Sequence, residues 1–228
     1  MFFIDVAEIV ADEWPKLVAL LDEAETARAA RFAFEADRRA YVAAHALLRV
    51  SLSARAKRIV PAAWRFGVTP HGKPFPLSPH TGFDISLSHT HGMAAVAIAS
   101  GRDIGVDVES FLHPRDALKV AERYFAPEEA AIVRAQTDPA LQSEIFFAIW
   151  TLKEAVLKAD GRGLAGGLDS FVVSLSPLAV SSGCGGRYGL AQWRRGGFFI
   201  AAAARGGDVN FRIEEARATA LIRAGQIV

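Results

Sequence analysis

The sequence predicts an α+β fold of two pseudo-symmetric halves, each a small, mostly antiparallel sheet packed on a long helix. Three observations carry this. Apolar residues recur at helical spacing in two long segments, Pro15–Leu52 and Ser143–Leu164, and at strand spacing elsewhere. The segment RFAFEADRRAYVAAHALLR has a counterpart in RYFAPEEAAIVRA followed by EIFFAIWTLKEAVLKA. Each has an Arg with an aromatic, an acidic helix start and a long helix. AAVAIAS in the first half is also echoed by GFFIAAAA in the second. The halves are assigned to residues 1–110 and 111–228, with an active site at their interface.

The elements follow in order. FFIDVAE, Phe2–Glu8, reads as a first strand. From Pro15 the pattern is helical, and Tyr41, Ala44, Leu48 and Leu52 share one helix face. Arg28, Arg31, Arg38 and Arg39 crowd the junction between its two pieces. Prolines and glycines between Pro61 and Pro79 mark loop with short strands. FDISLSHT and MAAVAIAS, joined at His91–Gly92, read as strands, and RDIGVDVES follows after Gly101. These three are expected as neighbours in one antiparallel sheet. Ser143 is the expected cap of the second long helix, and Gly161 and Gly163 end it. DSFVVSLS, YGLAQWR, GFFIAAAA and VNFRI are expected to form a second sheet.

The bulk numbers narrow the function. With 228 residues the chain suits one large domain or two small ones sharing a core, and 51% hydrophobic residues can build it. A formal net charge of +1 argues against nucleic-acid binding by bulk charge. The one cysteine, Cys184, allows no internal disulfide and excludes a Cys-rich zinc site. It fits a reducing, cytoplasmic setting and reads as a loop thiol. MFFIDVAEIV has no basic region before its apolar residues and does not read as a signal peptide. No apolar run approaches 18 residues, so no membrane span is expected.

Two places carry chemistry. In RDIGVDVES, strand alternation points Asp107 and Glu109 one way and Val106 and Val108 the other. Two readings fit: an edge strand with its acids in water, or a pair of acids sharing a cation. In the second long helix Thr151, Glu154 and Lys158 form a polar row through apolar surroundings, with Lys153 beside it. A surface pair of Glu154 and Lys158 is worth only about 0.3–0.5 kcal/mol. Buried charges need partners. A metal for Glu154 and a phosphate for Lys158 would supply them, with Asp107 and Glu109 completing an all-oxygen site for Mg2+ or Mn2+.

GVDVE, Gly105–Glu109, followed about 40 residues later by WTLKEAVLKADGRGL, resembles the Sfp-type 4'-phosphopantetheinyl transferases. FDISLSHTHG and HGKPFP match two more of that family's segments in the expected order. The resemblance implies that family's fold, two pseudo-symmetric α/β halves. It also implies transfer of the phosphopantetheine arm of coenzyme A to a serine of an acyl, peptidyl or polyketide carrier protein, releasing adenosine 3',5'-bisphosphate. On this match Asp107, Glu109 and Glu154 hold magnesium, and Asp107, Glu154 and Lys158 carry catalysis. Lys158, Ser88 and His89 contact phosphate, and Lys73 and Pro74 lie near the adenine. Arg28 and Arg31 resemble the coenzyme A clamp. Two departures stand out. Asp84 replaces the family's usual Asn. Ala40 stands where an arginine is common, with Arg38 or Arg39 as its substitute. A chain with both halves is expected to act as a monomer. The alternatives are a magnesium-dependent phosphoesterase or pyrophosphatase, and a non-catalytic module that binds coenzyme A or a carrier protein.

Overall fold

The structure is a computed structural model that describes every residue except 57–58, 79–81, 113–115, 162, 164–166, 182–185, 208 and 227–228. Cys184 lies outside the described residues. The chain divides into two compact units. The first comprises Met1–Thr69, Pro74–Gly101 and Arg212–Val228, and the second Pro70–Lys73 and Arg102–Phe211. These differ from the expected halves 1–110 and 111–228. The strand carrying Asp107 belongs to the second unit, and the C-terminal segment returns to the first.

In chain order the first unit supplies β1 (Phe2–Asp5), α1 (Trp14–Val18), α2 (Glu23–Ala29), α3 (Glu35–Arg55), β2 (Arg65–Val68), β3 (Pro74–Ser78), β4 (Phe83–Thr90) and β5 (Met93–Ser100). The second follows with β6 (Ile104–Ser110), α4 (Ala117–Tyr124), α5 (Pro127–Arg134), α6 (Pro139–Asp160), β7 (Val173–Leu175), β8 (Leu178–Val180), β9 (Tyr188–Arg195) and β10 (Phe198–Arg205). Then β11 (Glu214–Glu215) and α7 (Ala218–Gln226) complete the first unit.

In the first unit the strand order is β11-β1-β5-β4, antiparallel apart from the parallel β1–β11 pair. Phe83, Ile85 and Leu87 of β4 join Ile4, Val96 and the α3 residues Leu47, Leu48 and Leu52 in one core. Alternation turns Asp84, Ser86 and Ser88 to the opposite face, where Ser86 and Ser88 are also buried. Arg49 of α3 is fully buried too. It bonds Asp22 at 2.6 Å and Glu25 at 2.7 Å, and donates to the carbonyls of Pro61 and Trp64. This ties α2, α3 and the segment after α3 together through four of the guanidinium's five N–H donors.

In the second unit β6, β10 and β9 form a three-stranded antiparallel sheet on α6. The expected pairing of RDIGVDVES with MAAVAIAS is not made. Both edges of β5 are taken, by β4 and β1. Gly101, at φ 68°, redirects the chain, and β6 pairs with β10 instead. The expected second sheet also changes. β7 pairs with β8 in a separate hairpin, and VNFRI forms no strand. The residues just beyond it, Glu214 and Glu215, pair with β1.

The helix α6 starts earlier than expected. Asp138 is its cap, accepting from the Ala140 amide at 3.0 Å, and Pro139 takes the first position. Ser143 sits inside the helix, its hydroxyl donating to the Phe111 carbonyl. The C-terminus is as expected, with Gly161 left-handed at φ 77°. Ile149, Leu152 and Val156 pack with Ala201, Ala203 and Phe171. Gly105 of β6 allows the closest approach. A Cβ there would lie 2.0 Å from the Ala155 carbonyl oxygen and 2.5 Å from the Ala159 amide nitrogen. Both are helix backbone and cannot swing aside. Gly105→Ala is therefore expected to destabilise the protein by about 1–3 kcal/mol. Urea unfolding with an unchanged midpoint would contradict this contact.

Candidate active site

The seam between β6 and α6 gathers the charged residues. Gly105, Asp107 and Glu109 lie on the sheet face opposite Ala203, Ala201 and Phe199 of β10, the residues of β10 that join the α6 core. That face is the helix-facing one. Asp107 is 4% exposed, so the acids-in-water reading does not hold for it. Val106 and Val108 are buried on the other face, so the strand is covered on both sides. Glu109 is only partly buried.

Lys158 crosses from α6 to Asp107, with Nζ 2.6 Å from Oδ1. Its partner is thus on the strand, and not Glu154 one turn before it. Glu154 is affected by both. Burial raises its pKa first, the Asp107 charge raises it further, and Lys158 pulls it back down. The net direction is upward. Among the described residues no group of three or more His, Cys, Asp or Glu side chains is arranged to hold a metal ion. Asp107 and Glu154 are within electrostatic reach of each other, and Glu109 does not join them in such a group.

The rest of the polar row divides by face. Thr151 is buried and donates back to the Phe147 carbonyl at 2.9 Å, while Gln192 donates to its hydroxyl at 3.0 Å. Lys153 points elsewhere. It is fully buried, pairs with Glu129 of α5 at 2.7 Å and donates to the carbonyls of Leu168 and Phe171. Glu129 also accepts from the amides of Ala126 and Val173. Lys73 donates to the Ala159 carbonyl at 3.2 Å, placing a cation at the C-terminal end of α6.

The first unit holds the other expected residues. Arg28 and Arg31 are exposed and line a surface groove of about 560 Å3 with Ala24 and Phe32. His89 packs edge-on to Tyr41, with ring centres 6.0 Å apart. Ser88 faces the other side of β4, so the structure separates the Ser88–His89 pair. Arg39 pairs with Glu35 at 2.9 Å and lies over the Trp14 ring, and Arg38 pairs with the same carboxylate. Pro74 opens β3. His45, read from sequence as a core-edge residue, is half-buried with Nδ1 2.8 Å from Glu25. The sequence reading missed Glu25 and Glu129. Their positions one turn into acidic helix starts were the available signal.

These features define an α+β chain of two sheet-on-helix units, one of which sets a lysine against a buried aspartate beside a perturbed glutamate. Comparison with known proteins narrows the class. Residues 103–203 match the 4'-phosphopantetheinyl transferase superfamily, and residues 8–101 match the 4'-phosphopantetheinyl transferase N-terminal family. The 4'-phosphopantetheinyl transferase HetI of Nostoc sp. is 36% identical over 71% of this chain and 68% of its own length. A 4'-phosphopantetheinyl transferase of Bacillus subtilis is 32% identical, over 72% of this chain and 71% of its own. A solved holo-ACP-synthase from Plasmodium yoelii aligns with a TM-score of 0.36 at 17% identity, over 47% of this chain and 95% of that one. The chain belongs to the 4'-phosphopantetheinyl transferase superfamily.

Proposed function

We propose that this chain is an Sfp-type enzyme that transfers the 4'-phosphopantetheine group of coenzyme A to a serine hydroxyl of an apo carrier protein. The observation that carries the reading is the Lys158–Asp107 pair beside Glu154, on a strand and helix inside the matched family segment. The serine oxygen attacks the β-phosphorus, and the bond to the adenylate-side phosphate breaks, releasing adenosine 3',5'-bisphosphate. Lys158 exchanges Asp107 for phosphate oxygens and stabilises the charge that grows on them. Glu154 accepts the serine proton, directly or through a water. Arg28, Arg31 and His89 bind the anionic end of coenzyme A, with Ser88, Lys73 and Pro74 as further contacts. The single cysteine favours a cytoplasmic setting.

A divalent cation fits the chemistry of this donor set. Asp107 and Glu154 are hard oxygen donors whose mutual repulsion a cation relieves, which favours Mg2+, with Mn2+ as the alternative. Asp107 and Glu154 would hold it, and Glu109, on the same strand face as Asp107, would have to move in to become the third donor. When bound it supplies charge stabilisation for the pyrophosphate oxygens.

The test is mass spectrometry of apo acyl, peptidyl and polyketide carrier proteins after incubation with the protein, coenzyme A and magnesium. A gain of one phosphopantetheine group on at least one carrier is expected. Release of adenosine 3',5'-bisphosphate without a carrier would mean hydrolysis instead. Coenzyme A binding with neither product would mean a non-catalytic module.

A further inference from the structure

One side chain touches both Arg28 and His89. The Arg28 guanidinium carbon is 5.6 Å from the centre of the Tyr41 ring. The His89 ring stands at 85° to the same ring. Tyr41 is only 4% exposed. His45, one turn further along α3, lies against it at 4.1 Å. His45 is in turn bonded to Glu25, which Arg49 holds from the buried side. The ring plane of Tyr41 is therefore fixed from the core outward.

We propose that Tyr41 is a positioning residue for the anionic end of coenzyme A, its ring holding Arg28 and His89 for one phosphate group. This rests on the coenzyme A reading above.

An arginine can be ordered with or without losing its charge. A carboxylate partner orders a guanidinium and neutralises it. Arg38 and Arg39 are held that way by Glu35, and Arg49 by Asp22 and Glu25. Among the described residues no carboxylate pairs with Arg28. An aromatic face attracts it by about 0.5–1 kcal/mol at an exposed site and leaves the full positive charge for an incoming anion. The ring itself brings no charge at neutral pH, because burial pushes the Tyr41 hydroxyl up to about 12. The open groove lined by Arg28 and Arg31 gives an anion room beside it. Tyr41 reads from sequence as one more core position of α3, which is why spacing alone assigned it no part in binding.

Calorimetry of the full-length protein with coenzyme A and with adenosine 3',5'-bisphosphate tests this. Tyr41→Leu is expected to weaken both ligands by about fivefold, the equivalent of ~1 kcal/mol. Tyr41→Phe, which keeps the ring, should retain wild-type affinity. The transfer rate at saturating coenzyme A and carrier should change by less than about twofold, because affinity and not chemistry is at stake. Should Tyr41→Leu melt below the assay temperature, Tyr41→Met fills more of the volume and serves in its place. A folded Leu or Met variant with wild-type affinity overturns the proposal. So does a lower saturated rate at unchanged affinity. Wild-type protein that fails to bind coenzyme A at all would instead overturn the functional reading on which the proposal rests.

Discussion

Lys158→Met is expected to slow the transfer step about 100-fold, the equivalent of ~2.7 kcal/mol of transition-state stabilisation. Met keeps the apolar stem and removes the charge, so packing along α6 is largely retained. The substitution also takes from buried Asp107 the ammonium at 2.6 Å. A stability loss of about 1–3 kcal/mol should therefore accompany the rate effect. Lys158 is 31% exposed, which keeps that loss below the value for a fully buried pair. The two effects separate by measurement. Stability is read from urea unfolding without ligands. The chemical step is read from single turnovers at saturating coenzyme A and carrier, on protein shown to be folded. A folded Met variant with a wild-type single-turnover rate would reduce Lys158 to a structural partner of Asp107.

Much of this site was legible because it rests on local periodicity. Alternation in GVDVE placed Asp107 and Glu109 on one face, and the register with β10 agrees. Spacing in α6 placed Thr151, Glu154 and Lys158 along one row. What alternation could not supply was the partner strand. A run of alternating residues is compatible with any neighbour, and the choice of β10 over β5 depended on β1 filling the second edge of β5. The start of α6 was missed for a different reason. Asp138 followed by Pro139 is itself a strong helix start, but it lies a full turn before the apolar pattern becomes dense. The pairing of Lys158 with Asp107 was not legible either. An i,i+4 spacing shows that two side chains can meet, whereas a buried Asp107 is costly without a partner, and Lys158 reaches it at 2.6 Å.

Lys153 illustrates the limit of sequence most sharply, and it leads to the second large effect. Five residues of helix turn Lys153 and Lys158 to different faces. Nothing in KEAVLK says that Lys153 is the one to be fully buried. Its partner, Glu129, is 24 residues away on α5, and the contact exists only because α5 packs on α6. Burial raises the Glu129 pKa despite the ammonium beside it, so desolvation is the larger effect. Such a pair contributes little net stability while intact and costs a great deal when broken. Lys153→Met is expected to destabilise the protein by about 3–5 kcal/mol, because Glu129 loses its ammonium and must either stay charged among apolar groups or take up a proton, while the Leu168 and Phe171 carbonyls lose their donor. The double variant Lys153→Met with Glu129→Gln should recover at least half of that loss. Glutamine carries no charge, and its single carbonyl oxygen keeps one of the two backbone bonds, from Val173 or from Ala126, which donate to different oxygens of Glu129. Urea unfolding of the single and double variants decides the matter. A single variant within about 1 kcal/mol of wild type would show that the pair is dispensable. A double variant no better than the single would show that the bonds from Lys153 to the Leu168 and Phe171 carbonyls, and not the charge pairing, hold α6 in place. Glu154 follows Lys153 directly and Lys158 lies on the same helix. Whichever interaction anchors Lys153 therefore also sets the rotation at which α6 presents them to β6.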